Sequence, residues 1–168
     1  MKFLSNRAMA LVIVSSSFLL AMTSCKKSSS GGGTGFSATI NGSAWTPTAN
    51  STGIVYETAG DAWAIVGAQV KSGDTAVFTI EFFGPITLNH PMSTDTTSLD
   101  LEYADSKTGG EYAGGNGFGH ALINITSYDA NGHKIAGNFS GVMYNVGGGS
   151  DSLVVTNGSF NQSFSVQP

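Results

Sequence analysis

Four glutamates, three histidines, two tryptophans and a single cysteine are the residues of this 168-residue chain whose types offer chemistry. Glycoside hydrolysis needs two carboxyls a few ångströms apart, so Glu57, Glu81, Glu102 and Glu111 matter only if folding gathers two of them. Glu81 lies between Ile80 and Phe82, in the outward phase of an alternating strand, and its expected role is solubility. His90, His120 and His133 form no HxH or HExxH spacing that would present ligands on one face, and they read as loop histidines. Asp129-Ala130-Asn131-Gly132 starts like a calcium loop but lacks the later oxygen ligands and the distal glutamate, so a hairpin turn is expected. There is no Gly-x-Ser-x-Gly elbow. The run Gly114 to Gly119 also misses the dinucleotide-binding spacing. Trp45 and Trp63 are candidates for stacking on a sugar ring, against core packing as the plainer alternative. The expectation is of no enzyme, no metal and no cofactor.

The cysteine stands in a different context. Lys2 and Arg7 make a short positive region, and Ala8 to Met22 is an apolar run interrupted by Ser15, Ser16 and Ser17, which is the layout of an export signal. A bilayer-spanning helix takes about 20 apolar residues, more than this run offers. Thr23 and Ser24 are small, and Cys25 follows directly. The stretch Met22-Thr23-Ser24-Cys25 resembles a bacterial lipobox, with Met22 where leucine is commonest. That resemblance implies transfer of a diacylglyceryl group to the Cys25 sulfur, cleavage between Ser24 and Cys25, and anchorage by acyl chains of the palmitate type. One chain holds a protein only reversibly, at about 0.8 kcal/mol per buried methylene, whereas two or three make attachment effectively permanent.

Residues 1–24 therefore read as a removed signal peptide, 25–35 as the lipidated cysteine with a flexible Ser/Gly tether, and 36–168 as one domain. Loss of the leader takes away Lys2 and Arg7 and no acid, leaving five basic and eleven acidic residues, net −6. From Phe36 onward only Lys71, Lys107 and Lys134 are basic, so the domain carries −8 and repels nucleic acid and anionic head groups.

What must position any site is a set of strands. Phe36, Ala38 and Ile40 alternate with polar residues and meet Asn41-Gly42, a two-residue hairpin signal, before Ala44-Trp45. Ile54 and Tyr56 continue the period, Trp63 to Val70 is more continuously apolar, and Lys71-Ser72-Gly73-Asp74 turns the chain. Phe78, Ile80 and Phe82 make the clearest inward trio. Six glycines in the sixteen residues Ala104 to Gly119 read as a loop. Further strands are expected around Ile123, Ile135 to Met143, Leu153 to Thr156 and Phe160 to Val166, with Asn157-Gly158 as a turn. About nine short strands and no sustained helical repeat predict an all-β fold, an antiparallel sandwich or barrel-like domain.

Phe36-Ser-Ala-Thr-Ile-Asn-Gly-Ser-Ala-Trp45, Ile123-Asn-Ile-Thr-Ser-Tyr-Asp129, Ile135-Ala-Gly-Asn-Phe139 and Val155-Thr-Asn-Gly-Ser-Phe160 together resemble the small all-β lipoproteins of Bacteroidota with an uncharacterised domain. The resemblance implies a sandwich-like domain at the outer membrane and supplies no catalytic residue. Acidic residues after the cysteine are associated with surface export in that phylum, and Lys26-Lys27 departs from this, which favours the periplasmic face. It also marks Thr75, Thr96 and Ser152, each preceded by Asp, as candidate O-glycosylation sites. The function expected is a lipid-anchored, non-catalytic binding module for glycan, peptide or protein. A glycan-active envelope enzyme using paired carboxylates, and a structural component pairing through a sheet edge, are the alternatives.

Overall fold

The computed structural model describes residues 35–95, 98–115 and 117–168. Their regular structure is all β: β1 (Phe36–Ile40), β2 (Ser43–Trp45), β3 (Thr52–Glu57), β4 (Ala62–Lys71), β5 (Asp74–Phe83), β6 (Met92–Ser93), β7 (Leu99–Asp105), β8 (Gly110–Gly114), β9 (His120–Asp129), β10 (Lys134–Asn145), β11 (Ser152–Ser163) and β12 (Ser165–Gln167). They form one sheet in the order β12-β3-β4-β5-β7-β8-β10-β11-β1-β2, with β9 on β10 and β6 on β9. The pairs are antiparallel except β12 with β3. The sheet curls into an open half-barrel, the barrel-like member of the expected pair of folds.

The turns follow from local chemistry. Asn41 and Gly42 both take positive φ (48° and 79°), which closes the β1–β2 hairpin between Ile40 and Ser43. Ser72 and Gly73 do the same between Lys71 and Asp74. At the β9–β10 turn, the Asp129 carboxylate accepts from the backbone N–H groups of Asn131 (3.1 Å) and Gly132 (2.9 Å), so the residues that began like a calcium loop are an Asp-capped turn.

Inside the curl, alternate residues of each strand meet. Phe78, Ile80 and Phe82 are fully buried, as their spacing demands. Phe36, Trp45, Tyr103 and Phe139 surround Phe78, while Tyr56, Phe82, Tyr128 and Phe164 surround Trp63. Aliphatic side chains including Ile65, Leu101, Ile123 and Ile125 complete the core. Each such side chain contributes about 1.5–3 kcal/mol on burial.

Three expectations are corrected. Twelve strands are present among the described residues instead of about nine, because β6 and β12 are too short to display a period and β8 lies within the glycine-rich stretch. The glycine-rich stretch is not one loop: it contains β8, and Gly114 lets that strand lie close to β10, since a Cβ there would stand 3.0 Å from Met143 Cγ and 3.2 Å from the Val142 carbonyl. Asn157-Gly158 is not a turn between strands but a bulge inside β11. Phe139 pairs with Gly158 and Gly141 with Val155, so two residues of β11 oppose Ser140 alone.

Candidate functional site

Most of the residues singled out by type are absorbed by the structure. Trp45 and Trp63 are only 5% and 3% exposed. Trp63 has Tyr56 stacked at 4.4 Å and Phe82 at 5.9 Å, and Trp45 is surrounded by Phe36, Phe78 and Tyr103. With their faces occupied, neither offers a platform for a sugar, and the stacking assignment gives way to core packing. Thr75 and Ser152 are half-buried near the starts of β5 and β11. Ser24, Cys25 and Thr96 lie outside the described residues.

The histidines do not converge. His90 is exposed in the loop after β5, and His133 stacks on Phe164 at 5.1 Å. His120 lies with Nδ1 3.5 Å from an Asp95 carboxylate oxygen and 3.3 Å from Thr94 Oγ1. A nucleophilic triad needs its acid and its hydroxyl on opposite ring nitrogens. Here both approach the same nitrogen, so the contacts tie the loop to β9 and do not activate Thr94. Among the described residues, no three His, Cys, Asp or Glu side chains are placed to hold a metal ion.

The carboxyls do gather, and Glu81 is not the exposed residue its phase predicts. It is 5% exposed and sits opposite Asp100, also 5% exposed, while Glu102 pairs with Thr79 two residues along. Val66 and Thr79 are buried on the same side. Alternation tells which face a residue takes, but not that the second face is also covered around Val66, Thr79, Glu81 and Asp100. Burial, reinforced by the negative charges of Glu102 and Asp100, pushes the Glu81 carboxyl up to about 8. Burial raises Asp100 and Glu102 as well, with Asp100 and Glu111 adding to the rise at Glu102. Glu111, exposed on the neighbouring β8, acts on this group only through its charge on Glu102, and Glu57 lies at the end of β3.

A cleft opens on the outer face of β9, β10 and β11, with a volume of about 570 Å³. Asn124 and Asn138 face each other across β9 and β10, and Leu122 faces Ser140. Asn157 enters from the β11 bulge with φ 51°, and Pro91 borders the cleft before β6. Bulges on both flanks of β10 increase local twist and bend the strands, which hollows a face that would otherwise be flat. Its polar side chains are three amides and a hydroxyl, all neutral. The Asn124 Oδ1 atom is buried without a hydrogen-bond partner, a state that costs about 1–3 kcal/mol.

Sequence reasoning missed these residues. Their signal was present: Asn124 sits between Ile123 and Ile125, and Asn138 between Gly137 and Phe139, so both amides were in the outward phase. What period two does not reveal is that register sets them side by side. No protein-family model, curated protein or solved structure matches this chain.

Proposed function

We propose that this chain is an exported lipoprotein, held at the outer membrane through acylated Cys25, whose all-β domain is a non-catalytic binding module. The observation that carries the binding half is the cleft between Asn124, Asn138, Ser140 and Asn157. Amides and hydroxyls form directional hydrogen bonds without ionising at neutral pH, which suits recognition and not acid–base chemistry. The tether half rests on Cys25, the only cysteine, placed after small residues at the end of an apolar leader. The resemblance to the small all-β lipoproteins of Bacteroidota supports the same placement, on the periplasmic face, with O-glycans at Thr75, Thr96 and Ser152 belonging to the same reading. Fractionation tests the tether: the wild-type chain should sediment with outer membranes and Cys25→Ala should not. Sedimentation of both alike would refute it.

A glycan-active enzyme is the second reading, favoured by one observation. Glu81, its carboxyl pushed up to about 8, faces a second carboxyl on Asp100, and a facing pair of carboxyls is what acid-catalysed glycoside cleavage employs. Release of reducing ends from envelope polysaccharide, lost in Glu81→Gln, would establish it; equal release by both proteins, or none, would dismiss it.

A further inference from the structure

The polar row that runs through the cleft is continuous across four strands, with Pro91 beside its near end. Pro91 precedes β6, whose Met92 pairs with Ile123; Asn124 pairs with Asn138, Asn138 with Ser159, and Ser159 with Ser37. Ser37 and Ser159 are joined through their hydroxyls at 3.1 Å, which uses up the far end of the row. The amides of Asn124 and Asn138 have no such mutual bond, and Asn124 Oδ1 is left without a partner beneath the cleft. The last torsion of an asparagine is soft and roughly twofold, so the Asn124 amide can present either its oxygen or its NH2 group to the cleft.

The backbone around the cleft has little to give a ligand. β10 is hydrogen-bonded to β9 and β11 along this stretch, and the far edge of β9 is taken by Asn89, β6 and Thr94. A peptide strand therefore finds no free edge to extend, and recognition falls to side chains. Each amide presents a donor and an acceptor side by side, the pattern that adjacent hydroxyls of a sugar ring satisfy. Leu122, 38% exposed, and Pro91 supply apolar surface for the C–H face of such a ring. The lining is neutral and the domain carries −8, so a uronate or phosphorylated sugar would find no cation and an opposing field. A volume of about 570 Å³ lies within the range of small-ligand sites.

Building on the binding-module reading, we propose that the face of β9, β10 and β11 around Asn124, Asn138 and Asn157 binds an uncharged carbohydrate. The test uses the full chain, immobilised after detergent extraction, against arrays of neutral glucan, mannan and galactan oligosaccharides and of oligouronates. Retention of at least one neutral series is expected, with no retention of uronates, and Asn138→Ala should weaken it about tenfold. Should Asn138→Ala lower the melting temperature, Asn157→Gly provides the same reading, because glycine accepts the positive φ while removing the amide. Binding of uronates alone, no saccharide binding, or binding unchanged in both variants overturns the proposal. A parallel capture from native envelopes separates the two levels. If no saccharide binds but an envelope protein is held by the wild type and lost in Asn138→Ala, the carbohydrate assignment fails and the binding module stands. If neither saccharide nor protein is retained, both fail.

Discussion

Glu81 and Asp100 face each other across β5 and β7, and both residues are buried. Burial there disfavours the charged form of both carboxyls. The Glu81 pKa is about 8 in the fold against an ordinary value of 4.5, so between these values the folded state binds more protons than the unfolded state. The contribution is intact below about 4.5 and is lost progressively as pH rises to about 8, amounting to a few kcal/mol in all. Asp100 and Glu102 are raised too and act in the same direction.

The melting temperature should therefore fall from pH 5 to pH 8. Glu81→Gln, which keeps shape and removes the charge, should flatten that profile and raise melting at pH 8 by about 5 °C or more. A flat wild-type profile, or no gain at pH 8, would mean that Glu81 is not a buried acid.

Two glycine substitutions should separate close packing from mere flexibility. A Cβ on Gly115 would collide with the Asp100 carboxylate and the Leu99 carbonyl, whereas on Gly60 it would meet only Ala62 at an ordinary 3.7 Å. Gly115→Ala is expected to cost about 1–3 kcal/mol and Gly60→Ala less than about 0.5, read from urea midpoints at constant m-value. Equal effects would contradict the close approach of the turn after β8 to β7.

Trp63 offers a test of core against ligand platform. Removing it from among Tyr56, Phe82, Tyr128 and Phe164 should cost about 3–5 kcal/mol in Trp63→Ala. Trp63→Phe should cost less and leave saccharide retention unchanged at temperatures where it is folded. Loss of retention in a folded Trp63→Phe protein would return the ring to the ligand.

Much of this architecture was legible in the residues. Asn41-Gly42 and Ser72-Gly73 marked hairpins that the structure contains, and the Phe78, Ile80, Phe82 trio marked the inner face. Glu81 was misjudged because alternation distinguishes two faces without saying whether the second is also covered. Asn157-Gly158 carried a turn signal that the chain uses for a bulge, since both conformations draw on the same positive φ. The amide row escaped notice for a further reason. Asn124, Asn138 and Ser159 are brought together by register, and register depends on bulges that no single strand announces.

The central claim is that this binding domain works from a lipid tether at Cys25. It is tested most directly by the mass of the N-terminal peptide from chain extracted out of native envelopes. The account predicts a chain that starts at Cys25 and bears a diacylglyceryl thioether. An N-terminus at any other residue, or a Cys25 thiol without lipid, would contradict it.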